Sequence, residues 1–321
     1  MTPPPVLVVG HRGQDGTILR QSLARQGIAA VGVGREVVEE YYPNGELQSS
    51  NVREGTYASL VHKFRPDEIY YLAAEHSSSE GNRDALSSLQ DFDRVFASSV
   101  RDWVELLDAV AQEGLASRLF FASSALVFEQ TRLQVVNESA PFNPRSLYAM
   151  AKAQSVWVAR KYREERGLFV VTGTLFNHES HLRGPTFLSS RIVSSALRAA
   201  AGERVELVLR NLDAKVDWGY ALDFVDAFQR AVRHPNPEDY VIATGSQSSV
   251  RDFARLAFEA VGLSWKDHVV EARAIDVVGN LPRADISKIQ NLTGWVPTNS
   301  FESLVQQLVI DFESGGPWES K

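Results

Sequence analysis

The chain has 321 residues, of which 44% are hydrophobic and 23% charged, a composition typical of a globular protein. This length is enough for one large α/β domain with an appended lobe or for two domains. Its formal net charge of -7 gives no electrostatic reason to expect nucleic acid or an anionic membrane, so we expect a small-molecule partner. Without cysteine there are no disulfides, thiolate metal sites or cysteine nucleophiles, and the sequence shows no other metal-ligand cluster. Because it has neither an apolar run of about 18 residues nor a signal-peptide pattern, we expect a cytoplasmic protein.

The first motif is a glycine turn between a strand and a helix. Val6-Leu7-Val8-Val9 is a short apolar run typical of a strand buried on both faces of a parallel sheet. Three glycines follow at a spacing that lets the chain turn tightly and brings backbone and a helix N-terminus close to a pyrophosphate. We therefore predict a dinucleotide site here, formed by Gly10, Gly13, Gln14, Asp15 and Gly16.

The end of the second strand bears on which dinucleotide binds. The strand covers Ala29 to Val33 and leads into Gly34-Arg35-Glu36. An acidic residue near this place holds the ribose 2′-hydroxyl of NAD, whereas an arginine suits the 2′-phosphate of NADP. Arg35 favours NADP over NAD, although the neighbouring Glu36 suits NAD. A third strand is expected before Asn51 and Val52, which we predict to contact the adenine.

A further strand, Ile69 to Ala74, brings small residues to the same edge of the sheet. Leu72, Ala73 and Ala74 allow close approach of a cofactor. Ligands of open parallel sheets collect beyond the carboxyl ends of the strands. Glu75 is therefore a candidate for substrate binding and His76 for catalysis, although a lone histidine more often caps a loop.

The next helix and strand lead to a group that can move protons. A helix is predicted over Asp91 to Gln112, with Phe96, Val100, Val104, Leu107 and Val110 on its apolar side. The strand after it ends at Ser123-Ser124. Farther on, Tyr148 and Lys152 lie one helical turn apart and face the same way. A nearby ammonium lowers the pKa of a phenol, so Tyr148 could take the proton of an alcohol while hydride leaves the same carbon, with Ser124 bonded to the same oxygen. Tyr-x-x-x-Lys alone is also compatible with ordinary packing and a surface charge.

In this order, the glycine turn, the LAA strand, the SSA strand and Tyr-x-x-x-Lys resemble the extended short-chain dehydrogenase/reductase family, whose members modify nucleotide sugars. Three longer stretches are similar to the GDP-mannose 4,6-dehydratases within it: LFNHESHLRG, NLDAKVDWGYALDFVDA and YVIATGSQSSVRDF. The resemblance implies an α/β fold with a doubly wound parallel (Rossmann) sheet over residues 1–175. It also implies a smaller α/β substrate lobe over residues 176–321, with some elements returning to the first domain.

The same resemblance implies roles for individual residues. Ser124, Tyr148 and Lys152 correspond to the proton relay at the sugar C4, and Tyr148 and Lys152 also to cofactor contacts. Residues corresponding to the nucleotide-diphosphate grip and its surroundings are Asn177, His178, Glu179, Arg191, Lys215, Asp217 and Arg273. A homodimer is implied through the helices at Asp91 to Gln112 and Ala151 to Arg166.

One position departs from the dehydratase pattern. Two residues after the relay serine, those enzymes have a glutamate that takes the C5 proton and helps to expel the C6 hydroxyl. This chain has Leu126, and a leucine cannot transfer protons. SSALVF resembles instead the SSATVY of sugar 4-epimerases, in which only C4 changes oxidation state.

Three chemistries remain open, and the sequence favours the first. A 4-epimerase or another C4 redox enzyme needs only the relay and a cofactor. A 4-keto-sugar reductase would use the same relay with NADPH. A dehydratase or C5 epimerase would need a replacement acid/base, for which His76, Glu75, His178 and Glu179 are candidates. The alternative outside catalysis is an inactive module that senses nucleotides, which the intact relay argues against.

Overall fold

The computed structural model describes residues 5–34, 37–42, 47–51, 56–74, 89–272 and 281–315. In chain order the strands are β1 Val6–Val9, β2 Ala30–Val33, β3 Val37–Tyr41, β4 Leu47–Asn51, β5 Glu68–Tyr71, β6 Arg118–Ser124, β7 Val135–Val136, β8 Phe169–Leu175, β9 Asn177–Glu179, β10 Leu207–Leu209, β11 Lys215–Val216, β12 Trp218–Tyr220, β13 Asp239–Ile242, β14 Ser248–Ser249, β15 Val269–Glu271 and β16 Arg283–Ala284. The α-helices are α1 Gln14–Arg25, α2 Tyr57–Phe64, α3 Leu89–Phe96, α4 Asp102–Gln112, α5 Leu147–Arg166, α6 Leu188–Ala200, α7 Ala221–Arg233, α8 Val250–Ala260, α9 Ser287–Thr293 and α10 Phe301–Gly315.

An eight-stranded, mostly parallel sheet carries the fold, in the order β13-β8-β6-β5-β1-β2-β3-β4. The chain runs outward from β1 in both directions, so the carboxyl ends of β1, β5 and β6 lie side by side. This confirms the predicted doubly wound α/β fold. β13 comes from the carboxyl-terminal half and pairs with β8. The order places the glycine turn after β1 and Ser124 at the end of β6 on the same edge of the sheet, on either side of the end of β5.

The alternation of side chains along β1 explains why helices cover both faces of this sheet. Val6 and Val8 are buried on the face that packs against α1 and α7. Leu7 and Val9 are buried on the other face, against α2, α4 and α5. Successive residues of a strand point to opposite faces, so a run of four apolar residues needs a helical layer on each side. A third apolar cluster joins α6, α8 and α10 in the carboxyl-terminal lobe.

Strand β3 was not predicted. The chain turns back directly after β2, where the Gly34 N–H donates to the Val37 carbonyl at 2.9 Å. β3 then runs antiparallel to β2, and β4 antiparallel to β3. β3 therefore separates β2 from the third strand that the sequence did predict. Its Glu39 and Glu40 hid the strand, because adjacent carboxylates are unusual where a strand meets a core.

The helix predicted over Asp91 to Gln112 contains a π-helical turn at Ala97–Arg101 between α3 and α4. The extra residue in that turn rotates the helix surface relative to a continuous 3.6-residue period. As a result the fully buried face of α4 includes Trp103 and Leu106 besides the predicted Leu107 and Val110. The predicted apolar positions Phe96, Val100 and Val104 are only half-buried.

The outer face of α5 exposes apolar side chains. Trp157 is 54% exposed and Met150 is 43% exposed. These residues lie on one of the two helices for which the resemblance implies a dimer contact, and that assembly stays a prediction. Among the described residues, no helix is both long and apolar enough to cross a membrane.

Candidate active site

The glycine turn closes tightly on the neighbouring backbone. Gly10 has φ +87°, and a Cβ there would lie 2.7 Å from the Ala73 nitrogen. A Cβ on Gly16 would lie 2.4 Å from the Gly10 oxygen, so both glycines are required by backbone contacts. A Cβ on Gly13 would meet nothing closer than the Gly10 oxygen at 3.4 Å. Gly13 directly precedes the first residue of α1, and no side chain caps the helix there. The open space on this side of the turn therefore fits a pyrophosphate.

The close contact at Gly10 makes a testable prediction. Gly10→Ala should lower the free energy of unfolding by more than about 3 kcal/mol, because the new methyl group meets backbone as well as an unfavourable φ. Gly27→Ala is the matched control, since Gly27 also has a positive φ, +74°, but no atom within 4 Å of its Cβ position. That change should cost about 1 kcal/mol. Urea unfolding of both variants separates the clash from the φ effect, and equal losses would contradict this assignment.

The predicted cofactor residues Gln14 and Asp15 direct their side chains toward the carboxyl-terminal lobe. The Gln14 amide donates to the His178 carbonyl at 3.1 Å and accepts from the Ser180 hydroxyl at 2.9 Å. The Asp15 carboxylate accepts from His178 Nε2 at 3.0 Å. These bonds tie the start of α1 to the segment containing β9, so the cofactor turn and the substrate lobe are directly linked.

His178 is buried and hydrogen-bonded at both ring nitrogens. Its Nδ1 donates to the Phe176 carbonyl at 2.8 Å and its Nε2 to Asp15, so each ring nitrogen faces an acceptor. The ring also stacks on Phe224 at 4.5 Å between centroids. Burial alone would lower the pKa of His178, but the Asp15 carboxylate outweighs it and raises that pKa. Burial likewise opposes ionisation of Asp15, and the charge of His178 outweighs it and lowers the Asp15 pKa. In this arrangement His178 has no nitrogen free to exchange a proton with a sugar.

The pair of His178 and Asp15 should make stability depend on pH. Because the His178 pKa is raised on folding, its contribution is fully present below about pH 6.5 and is lost as the pH rises through the folded pKa. His178→Gln keeps a donor but no charge, so it should lose about 1 kcal/mol more stability at pH 6 than at pH 9. Denaturant unfolding at both pH values measures this, with His234→Gln as a surface control. A pH-independent loss would show that the pair contributes no charge effect.

The predicted proton relay assembles where β6 ends. Ser124 closes β6 and caps the 3₁₀ turn Ala125–Phe128 by accepting from the Leu126 N–H at 3.3 Å. Ser146 caps α5 by accepting from the Ala149 N–H, which places Tyr148 in the first turn of that helix. The side chains of Tyr148 and Ser124 are hydrogen-bonded.

Lys152 lies one turn below Tyr148, inside the protein. Its side chain is 1% exposed, and its Nζ donates to the Ala122 carbonyl at 2.7 Å and lies 3.5 Å from the Ala73 carbonyl. The Nζ is 5.8 Å from the centre of the Tyr148 ring. The predicted residues Leu72 and Ala73 therefore sit between the glycine turn and the relay, with the Leu72 N–H bonded to the Val9 carbonyl.

The electrostatics of the relay differ from the prediction that Lys152 lowers the pKa of Tyr148. Burial raises the pKa of Tyr148 to about 12, and the hydrogen bond with Ser124 is the largest opposing effect. Burial lowers the pKa of Lys152 to about 7. Both shifts have one cause, since a low-dielectric site disfavours phenolate and ammonium alike. At neutral pH Tyr148 is therefore a phenol, which can donate a proton to a ketone oxygen.

Sequence reasoning did not single out Arg183. It lies between Glu179, whose carboxylate is 3.4 Å from the Arg183 Nε, and the ring of Phe187 at 4.1 Å. Its positive charge lowers the pKa of Tyr148, so it lies close enough to the relay to favour the phenolate. The only signal for it was its place in the LFNHESHLRG stretch.

The other predicted substrate residues are spread along the carboxyl-terminal lobe. Asn177 begins β9 and pairs with Trp218 of β12. Glu179 is buried and accepts from the Ser189 hydroxyl. On α6, Arg191 donates to the Val208 carbonyl at 3.0 Å, and Lys215 is exposed on β11.

Asp217 is engaged by the protein's own backbone. Its carboxylate accepts from the N–H groups of Thr244 and Gly245, both at 2.9 Å, and burial raises its pKa to about 6. These bonds give Asp217 a role in shaping the loop that contains Thr244 and Gly245. Its predicted contact with the nucleotide base stays a prediction.

Several predicted positions lie outside the described residues. Asn51 closes β4, and its side chain is not among those described. The remaining positions are Arg35, Val52, Glu75, His76 and Arg273. Their predicted contacts with cofactor or substrate stay predictions. Across the part of the chain that the structure describes, no group of three or more histidine or acidic residues could hold a metal ion.

Comparison with known proteins places these features in one family. The sequence model for GDP-mannose 4,6 dehydratase matches residues 7–308. GDP-mannose 4,6 dehydratase 1 of Arabidopsis thaliana is 34% identical over 94% of this chain and 88% of its own length. The Homo sapiens GDP-mannose 4,6 dehydratase is 31% identical over 94% and 90%.

Solved structures share the fold at lower identity. RMD from Pseudomonas aeruginosa, complexed with NADPH, has a TM-score of 0.76 at 19% identity, covering 97% of this chain and 100% of its own. The UDP-glucose 4-epimerase of Thermotoga maritima, with UDP-glucose, has a TM-score of 0.79 at 19% identity, covering 97% and 99%.

Proposed function

Because the chain belongs to the GDP-mannose 4,6-dehydratase family, within the extended short-chain dehydrogenases/reductases, we propose that it is an enzyme that oxidises and re-reduces C4 of a GDP-hexose. The net reaction is then a 4-epimerisation. The observation that carries the proposal is that Ser124, Tyr148 and Lys152 come together beside Leu126, at the position where the resemblance to the dehydratases implies a glutamate. The choice of GDP as the nucleotide of the substrate rests on the similarity to the GDP-mannose 4,6 dehydratases.

The glycine turn would hold a nicotinamide dinucleotide. Gly13 and the N-terminus of α1 would face its pyrophosphate, and Lys152, beside Ala73, would lie under its ribose. We favour NADP over NAD on the basis of Arg35. When bound, the nicotinamide supplies the acceptor and donor of hydride.

The relay residues account for the proton. Ser124 would hold the sugar O4 by a hydrogen bond, and Tyr148 would take the O4 proton as the C4–H electron pair leaves as hydride. In the reverse half-reaction Tyr148 returns that proton to the ketone oxygen as C4 regains hydride on its other face. The hydrogen bond with Ser124 and the charge of Arg183 favour the phenolate form that the first half-reaction requires.

Leu126 limits what else can happen at the sugar. Its N–H is fixed by Ser124, so residue 126 lies directly beside the relay. Eliminating the C6 hydroxyl requires removal of the C5 proton, and a hydrocarbon side chain cannot accept it. General acid/base catalysis typically increases the rate of a step by about 10²–10⁴-fold. Its loss should make dehydration slower than the redox reaction at C4.

Dehydration is the second candidate, because the family match extends over residues 7–308. It requires a replacement acid/base. His178 is committed to Asp15 and Phe176, and Glu179 to Ser189 and Arg183. Glu75 and His76 lie outside the described residues and are the remaining candidates from the sequence.

Incubation with GDP-mannose, followed by NMR, separates these activities. A C4-inverted GDP-hexose formed without added NADPH supports the proposal. A 4-keto-6-deoxy product would establish dehydration instead. Turnover only of a 4-keto sugar with NADPH would identify a reductase, and binding without turnover of any of these would identify an inactive nucleotide-sensing module.

A further inference from the structure

A cluster of charged side chains lies beside the glycine turn and is not part of the relay. The unpredicted strand β3 places Glu39 opposite Gly32 of β2. Because Gly32 has no side chain, the ring of His11 lies across it, and a Cβ on Gly32 would come within 2.5 Å of that ring. The ring extends to Gly34, at the end of β2. The cluster therefore lies where a dinucleotide site meets the adenosine ribose.

Glu39 is surrounded by donors. Arg12 Nη2 donates to its Oε1 at 2.5 Å, His11 Nε2 donates to its Oε2 at 2.8 Å, and the Tyr41 hydroxyl also donates to Oε2. The residue is only 7% exposed. These hydrogen bonds, above all the one from Arg12, hold the pKa of Glu39 at about 2. The carboxylate is therefore ionised and its lone pairs are engaged.

Because its lone pairs are engaged, Glu39 is better suited to positioning Arg12 than to accepting a hydrogen bond from a ribose. A carboxylate near the end of β2 commonly accepts from the ribose 2′-hydroxyl of NAD. Glu39 is buried and already has three donor side chains, so it is poorly placed for that contact. What the cluster presents to solvent is the Arg12 side chain, which is 62% exposed and directly precedes Gly13 at the start of α1.

A second arginine supports the arrangement. Arg20 Nε donates to the His11 carbonyl at 3.0 Å, and the Arg20 guanidinium lies 3.9 Å from the centre of the Tyr41 ring. Burial lowers the pKa of His11, so its ring is neutral at pH 7. Two arginines and one carboxylate leave the cluster with a net positive charge, which suits an anion.

We propose that Arg12 binds the 2′-phosphate of NADP and that Glu39 is the positioning residue that aims its guanidinium. This rests on the dinucleotide site of the proposed function and extends it to a residue that selects the cofactor. A guanidinium offers several donors in a fixed plane, so Glu39 can hold one edge while the other meets the phosphate.

Isothermal titration calorimetry with NADP⁺, NAD⁺, 2′,5′-ADP and 5′-ADP tests the proposal without relying on turnover. Wild type should prefer NADP⁺ and 2′,5′-ADP. Arg12→Gln should weaken both by about 10- to 100-fold and change NAD⁺ and 5′-ADP by less than about 2-fold, since a hydrogen bond to a charged group is lost. Arg12→Lys should restore part of the loss, and Glu39→Gln should lower the preference for NADP⁺ by a smaller factor. Arg25→Gln, in the last turn of α1, is the charge-matched control and should change nothing.

Several results would overturn the proposal. One is an Arg12→Gln variant that weakens both dinucleotides equally or neither. Another is a Glu39→Gln variant that loses NAD⁺ rather than NADP⁺, which would make Glu39 the ribose reader. If folded wild type binds neither dinucleotide, the cofactor site itself is wrong and the assignment of Arg12 falls with it. Normal binding without a C4-inverted product would contradict the proposed reaction alone.

Discussion

Tyr148→Phe is expected to lower kcat by about 10²–10⁴-fold, the usual effect of losing a general acid/base. The hydroxyl is the group bonded to Ser124, and phenylalanine keeps the ring while removing the only proton it can exchange. Dinucleotide affinity should stay within a few-fold of wild type, because the glycine turn is unchanged. Steady-state rates with the GDP-sugar, together with cofactor titration, measure the two effects separately.

Tyr162→Phe provides the control for this change. Tyr162 lies on the same helix, and its hydroxyl donates to Asp108 at 2.6 Å. Its loss should cost about 1 kcal/mol of stability and leave kcat unaffected. If Tyr148→Phe turned over its substrates as fast as the parent, the relay would not be the catalytic centre.

Leu126→Glu is expected to turn C4 chemistry toward dehydration. A carboxylate at residue 126 would stand next to Ser124 and could take the C5 proton once C4 is a ketone. The rate of 4-keto-6-deoxy sugar formation should rise by about 10²–10⁴-fold over wild type. Leu126 is only half-buried, so the fold should tolerate the charge. NMR of the products over time gives both rates in one experiment.

Leu126→Gln distinguishes proton transfer from a change of shape. Glutamine has nearly the shape of glutamate but cannot accept the proton, so this variant should form no more dehydrated sugar than wild type. Equal gains in both variants, or no gain in a folded Leu126→Glu enzyme, would mean that residue 126 does not determine the reaction.

The parts of the fold that were predicted are those in which local pattern and tertiary environment agree. Val6–Val9 is apolar at every position because helices cover both faces of the sheet. The glycine spacing is explained by backbone contacts of Gly10 and Gly16. Tyr148 and Lys152 could be placed together because one helical turn separates them.

The missed features depend on contacts that are distant in sequence. Glu39 looks like a surface residue until Arg12, His11 and Tyr41 are seen to surround it. Since Arg12 and His11 lie on the glycine turn, 27 and 28 residues before Glu39, no local pattern could reveal the cluster. The same holds for His178, whose partner Asp15 lies 163 residues away.

The electrostatics of the relay were also beyond the sequence. A lysine four residues after a tyrosine indicates a shared face, but it gives no information on burial. Lys152 is bonded to the Ala122 carbonyl, and the low dielectric of the site works against both charges. At its distance in this structure, Lys152 does not produce the predicted lowering of the Tyr148 pKa. That lowering therefore requires additional positive charge near the phenol.

The most direct test of C4 chemistry without dehydration is isotope exchange at the sugar C5. The protein is incubated with GDP-mannose in D₂O, and the C5 proton is followed by NMR as product forms. Our account predicts a C4-inverted sugar that keeps its proton at C5, because Leu126 cannot remove it. Deuterium at C5, together with a 4-keto-6-deoxy product, would contradict it.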